Sequence, residues 1–147
     1  MPKIESTVMI ERPREEVFQY FLNLDQHVTQ NNPDVESFEK TSDEPTGVGT
    51  AFRSRGKALG RTRETTMRFT SIVPNDRIEF VAEVGPMRPV CSFSFDGTGA
   101  ATKVILRADP NPIGPFKLLS PLFVRMGRRV WAQRLARAKA VLENSVS

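Results

Sequence analysis

Cysteine and histidine are almost absent from this chain: 147 residues hold one of each, Cys91 and His27. A single cysteine cannot close an internal disulfide, which predicts a protein kept in the reducing cytoplasm. With no Cys-x-x-Cys and no Glu-x-x-His, no metal-ligand spacing exists, so neither a metal nor another cofactor is expected. No apolar run approaches the roughly 20 residues that a membrane-spanning helix needs. The opening MPKIESTVMIERP is interrupted at once by acids and prolines and has no signal-peptide pattern.

What is present describes an ordinary globular chain. Hydrophobic residues make up 39% and charged residues 26%, which argues against disorder. The length suits one domain over residues 1–147, with about two-thirds of the unfolded surface buried. Charge is unevenly spread. Residues 1–50 carry 4 bases and 10 acids, 51–100 carry 8 and 5, and 101–147 carry 9 and 2. The balance therefore runs −6, +3, +7. An acidic front and a basic back are either two solvated faces or an invitation to a homodimer or an anionic partner.

Periodicity divides the chain. Residues 3–10 alternate as a strand, with Ile4, Ser6, Val8 and Ile10 on one face. Pro13 then opens a helix over about 13–23, with Glu15 and Glu16 in the first turn, where the helix dipole favours acids. A second short helix over about 24–31 ends at Asn31-Asn32-Pro33-Asp34. Six strands follow at 35–41, 50–58, 62–73, 77–85, 90–96 and 101–109, parted by turn residues such as Pro74-Asn75-Asp76 and Asp96-Gly97-Thr98-Gly99. Short turns between consecutive strands predict an antiparallel meander. The rest, about 113–144, is helical, with Pro121 starting or kinking its long part.

Alternation also sorts the faces. Phe52, Ser54, Gly56 and Ala58 share one side of their strand, and Arg53, Arg55 and Lys57 the other. Met67, Phe69, Ser71 and Val73 share a face, as do Ile78, Phe80, Ala82 and Val84, and Val104, Leu106 and Ala108. The terminal helix is the available cover. Small residues among the aromatics leave room beneath it, which either the helix or a ligand fills.

On that helix, Phe123, Val124, Met126, Gly127, Val130, Trp131, Leu135, Ala138, Val141 and Leu142 occupy one half of the wheel. Arg134 falls between Val130 and Trp131, inside the apolar arc. A buried guanidinium must be paired, so Arg134 snorkels out, meets a protein carboxylate, or meets an anionic group on a ligand. His27 is a surface residue or an acid–base group at a cavity mouth, and Tyr20 anchors the first helix or offers a phenolic hydrogen bond. Cys91 reads as an inert small hydrophobe. The basic side chains Arg53, Arg55, Lys57, Arg61 and Arg63 lack the exposed, interleaved aromatics of a single-strand binder, so no specific nucleic acid is expected.

Several local words carry a resemblance. They are Ile10-Glu11-Arg12-Pro13-Arg14-Glu15-Glu16-Val17-Phe18, Asn32-Pro33 before a strand, Gly47-Val48-Gly49-Thr50-Ala51-Phe52, and Asp96-Gly97-Thr98 with Thr102-Lys103-Val104 after it. In this order, ahead of an Arg-rich terminal helix, they resemble the polyketide cyclase/dehydrase branch of the START-like (SRPBCC) superfamily. One departure is Asn31, where that family usually has a tryptophan. The resemblance implies an α+β helix-grip fold, β-α-α-β6-α, in which a curved seven-stranded antiparallel sheet wraps a long C-terminal helix. It also implies an internal cavity, for which the lining residues expected here are Phe52, Ser54, Met67, Phe69, Ser71, Phe80, Phe123, Gly127, Val130, Trp131 and Arg134, with His27 and Tyr20 as polar or acid–base groups. Three functions fit: a carrier of a hydrophobic or aromatic small molecule, a cyclase/dehydrase acting on a polyketide-like substrate, and an interaction module using the charged faces.

Overall fold

Strands that are apolar on one side only must turn that side toward a common cover, and here they do so by pairing antiparallel in chain order. The computed structural model describes residues 3–23, 35–41, 47–58 and 61–144. Strand β1 (Ile4–Ile10) leads into helix α1 (Arg14–Leu22). Six strands follow: β2 (Val35–Lys40), β3 (Ala51–Ala58), β4 (Arg61–Val73), β5 (Arg77–Glu83), β6 (Val90–Thr98) and β7 (Ala101–Asp109). A 3-10 helix (Gly114–Leu119) and the long helix α2 (Ser120–Asn144) complete the order. The strands form one seven-stranded antiparallel sheet, β1-β7-β6-β5-β4-β3-β2. The first two strands thus lie at opposite edges, and the chain crosses between them through α1. The second short helix expected over 24–31, His27 and Asn31 among its residues, lies outside the described residues.

Local chemistry explains most boundaries. Pro13 is the N-cap of α1, in extended conformation at ψ 150°, so the helix starts one residue later than its proline suggests. Glu15 and Glu16 occupy the first turn, as the dipole favours. Gly99, at φ 75°, sits in the left-handed region that the tight β6–β7 turn requires and that glycine enters without a Cβ clash. Strand β5 stops at Glu83, and Val84 instead bridges to Met87 across the next turn.

The face assignment holds except at one place. In β4, Phe69 pairs with Phe80, but the next pair is Ser71 with Glu79, so an extra residue sits in β4. A β-bulge of this kind inverts the side-chain alternation beyond it. Ile72, opposite Ile78, therefore turns inward. Ser71 pairs with the outward Glu79, and Val73 is 37% exposed. Ser71 and Val73 consequently leave the inner face on which strict alternation put them.

The inner face carries the core: Phe52, Phe69, Ile78, Phe93, Phe95, Val104 and Leu106 are almost completely buried. Among the described residues, two helices cover it. Helix α1 contributes Val17, Phe18 and Phe21, with Phe18 edge-on to Phe95 at 5.6 Å and Phe21 4.7 Å from Phe93. Helix α2 contributes Phe123, Val124, Leu135, Ala138 and Leu142. It approaches β1 closely at Gly127, where a Cβ would stand 2.3 Å from Ile4 Cδ1.

The far end of α2 is tied down by charge. The last carbonyls of a helix lack intrahelical partners. Arg12 supplies them, its Nε donating to the Leu142 carbonyl (2.7 Å) and its Nη2 to that of Glu143 (3.2 Å). Lys139 Nζ donates to the Met9 carbonyl (2.7 Å) and to Glu143 Oε2 (2.6 Å), which also accepts from the Glu11 amide (2.9 Å). The C-terminus of α2 is thereby stitched to the β1–α1 junction. The hydrogen bond from Lys139, then that from the Glu11 amide, holds the Glu143 carboxyl below its ordinary pKa.

Two outcomes follow. Gly127→Val forces its branched side chain against Ile4 and should lower stability by about 1–3 kcal/mol, read as a drop in thermal midpoint; an unchanged midpoint would show that α2 does not depend on this close approach. For Glu143, the ionised form is favoured in the folded state. Its contribution is present above the unfolded-state titration and is lost as pH falls through the lower folded value. Glu143→Gln should therefore be less stable than the parent at pH 7, and urea titrations should converge as the pH drops below the carboxylate range.

Candidate functional site: an apolar cavity under the terminal helix

The helix does not fill the space it covers. Between α2 and the inner face of the sheet, chiefly β3 to β6, lies a cavity of about 260 Å³, just below the usual range of roughly 300–1,000 Å³ for small-molecule sites. Its sheet wall uses small side chains, with Ser54, Gly56, Thr65 and Ala82 beside Met67 and Phe80. Its helix wall is Phe123, Gly127, Val130, Trp131, Arg134 and Ala138. Tyr20 and Phe21 close the side under α1. The cavity is partly open to solvent, and two residues that line it, Met126 and Val130, are 36% and 39% exposed.

The floor is aromatic. Trp131 stands edge-on to Phe93 at 5.6 Å and 6.4 Å from Phe80, and Phe80 lies 5.6 Å from Phe93. Such tilted and edge-to-face pairs stiffen the wall beyond their area of burial. Arg134 stacks on this group, its guanidinium carbon 5.4 Å from the centre of the Trp131 ring, within cation–π range. Its Nε is shielded from solvent. The positive charge placed inside the apolar arc by the helical wheel is therefore on the cavity wall.

Of the residues expected to line one space, the structure gathers Ser54, Met67, Phe80, Phe123, Gly127, Val130, Trp131, Arg134 and Tyr20. It does not bring Phe52, Phe69 or Ser71 there. Phe52 and Phe69 are 2% and 1% exposed and pack on one another at 5.2 Å, with Phe38 5.4 Å from Phe52. They fill the core beside the cavity rather than its surface. Ser71 is turned away by the bulge. His27 lies outside the described residues. Phe93 and Phe38 are wall residues not singled out beforehand, and Cys91, read only as an inert hydrophobe, joins them on the wall; the alternation Cys91, Phe93, Phe95 in β6 was the available signal.

Chemically the wall is poor in acid–base groups. Among the described residues it contains no carboxylate and no imidazole. No group of three or more metal-binding side chains occurs among those residues either. The Cys91 thiol is pushed up to about 12, chiefly by burial and then by the nearby Asp109 charge, with Arg134 acting in the opposite direction. At neutral pH it is a thiol, not a nucleophile. Two of the basic side chains of β3 are engaged across strands, Arg53 with Glu64 (3.6 Å) and Arg55 with Glu36 (3.5 Å).

Comparison with known proteins places the chain. Residues 1–143 match the family model described as polyketide cyclase/dehydrase and lipid transport. The chain belongs to that family. Among solved structures, it is similar to the Zhui aromatase/cyclase from a Streptomyces species, with 16% identity and a TM-score of 0.82 over 96% of this chain and 93% of that one. A START superfamily protein from Mycobacterium smegmatis gives 14% identity and 0.81 over 96% and 97%. TTHA0849 from Thermus thermophilus gives 20% and 0.78 over 99% and 100%. At these identities the likeness is one of fold, the helix-grip arrangement of sheet and terminal helix. No curated protein matches significantly.

The state of Cys91 is directly measurable. In the folded protein at pH 8 it should resist alkylation for hours and react fully once the chain is unfolded in urea. Rapid labelling of the native protein would mean that the cavity wall is far more open than its geometry.

Proposed function

We propose that this protein binds a small hydrophobic or aromatic molecule, carrying an anionic group, as one ligand-binding domain spanning residues 1–147. The observation that carries the reading is the wall itself: a solvent-reaching apolar cavity with an aromatic floor and Arg134 stacked on it. Burial of an apolar body supplies affinity, at roughly 25 cal/mol per Å² removed from water. A guanidinium at one end supplies orientation, because a carboxylate or phenolate can take a charge-assisted hydrogen bond there. Membership of a family described by both cyclases and lipid transport supports an apolar ligand of this kind.

A cyclase/dehydrase is the second reading. It is favoured by the presence of Arg134 and Tyr20 on the same cavity, where a guanidinium and a phenol would stabilise negative charge developing on a carbonyl oxygen. The wall's lack of carboxylate and imidazole among the described residues ranks it below binding, since proton abstraction from carbon needs a base.

Trp131 is the chain's one tryptophan and lies in the wall, so its fluorescence reports occupancy. Titration with an aromatic carboxylic acid and with its neutral amide should separate the contributions. Arg134→Met keeps the apolar stem and removes the charge. It should weaken the acid by about 1.5–3 kcal/mol and leave the amide nearly unchanged. Equal loss for both ligands would refute an anionic anchor. Unfolding of the unliganded variant would make Arg134 an internal structural partner instead.

A further inference from the structure

The stretch joining β7 to α2 breaks the usual rule for apolar side chains. Eleven large hydrophobic residues are strongly exposed among the described residues, and seven of them fall within 113–130. Leu118 is 86% exposed, Leu122 49%, Leu119 43%, and Ile113 and Phe116 42% each. They are contiguous: Ile113, Phe116, Leu119 and Leu122 line one shallow groove with Phe123 and Met126. On α2 the row Leu122, Met126, Val130 recurs every fourth residue, on the shoulder between the buried face and the exposed Arg125, Arg128 and Arg129. Scattered exposed leucines are unremarkable, but a patch of this kind marks a docking surface.

Charge selects the partner. Between Asp109 and Glu143 the sequence contains no acidic residue, while it contains Lys117, Arg125, Arg128, Arg129, Arg134, Arg137 and Lys139. Lys117, Arg125, Arg128 and Arg129 enter no salt bridge among the described residues. Apolar side chains projecting from a basic helical segment are the composition that sits in the interface of an anionic bilayer, burying the former among acyl chains and leaving the latter at the headgroups. We propose that the 3-10 helix and the first half of α2 form a docking surface for anionic lipid membranes. The groove shares Phe123 and Met126 with the cavity, so the docked face adjoins the cavity's helix wall. A ligand drawn from or delivered to the bilayer would then cross little water.

The test needs no cavity ligand, so it stands apart from the proposed function. Flotation with vesicles of phosphatidylcholine and 30 mol% phosphatidylserine should carry the protein up, and pure phosphatidylcholine vesicles should carry at least ten-fold less. Raising salt from 50 to 500 mM should remove most of the binding. The double variant Leu118→Ser/Leu122→Ser, whose side chains do not line the cavity, should lose at least ten-fold in vesicle affinity at an unchanged thermal midpoint. Arg125→Glu/Arg129→Glu should lose the preference for phosphatidylserine. Absence of flotation by the parent protein, or undiminished flotation by both variants, overturns the proposal. So does a concentration-dependent dimer in sedimentation velocity that the leucine variant abolishes without any vesicle binding, which would assign the patch to a second copy of the chain.

Discussion

One helix cannot cover a seven-stranded sheet. Six inter-strand spacings make such a sheet about 29 Å across, whereas a helix with its side chains is about 10–12 Å wide. The sheet's concave face carries the apolar core, and α2 must serve as its main cover. Where the helix sits then decides everything else. It is drawn to one side, against β1, by the missing side chain of Gly127 and by the Arg12–Lys139–Glu143 stitches at its end. Helix α1 covers the region of β6 with Phe18 and Phe21. The small side chains of β3 to β5, Ser54, Gly56, Thr65 and Ala82, then leave open a space beneath the helix that neither cover fills.

That placement gives the two ends of α2 different tasks. The C-terminal end is fastened by hydrogen bonds to backbone carbonyls and by a 2.6 Å ion pair. The N-terminal end carries Met126, Val130 and the exposed leucines at the cavity rim. Arg134 lies between these zones, stacked on Trp131, and is the cation on the helix wall of the cavity. An apolar space with such a charge on its wall distinguishes ligands by their polar end and by size.

Much of this was readable in the sequence because it rests on period. Strands of alternating side chains announce themselves, and the strand boundaries fall within two residues of those expected. Arg134 was conspicuous for the same reason, as a cation at an apolar angle of the wheel. What periodicity misses is any event that resets it. The single extra residue in β4 sends Ser71 outward and Ile72 inward, and no residue type in that stretch signals it. Phe52 and Phe69 were rightly placed on the inner face, yet a face does not say which of its members touch a void and which touch each other. The exposed 113–130 segment was hidden for the opposite reason. It reads simply as the opening of the terminal helical segment, and only the position of the sheet shows that nothing in the described chain lies over its leucines.

The central claim is that the space beneath α2 holds a molecule rather than being a packing defect. Native mass spectrometry of the full chain, purified from its own host without detergent or organic solvent, addresses it most directly. The predicted result is a population heavier than the polypeptide by one discrete small-molecule mass, which disappears when Ala82→Trp fills the cavity without unfolding the protein. A single peak at the polypeptide mass, together with no Trp131 response to any apolar acid or neutral analogue of fitting size, would contradict it.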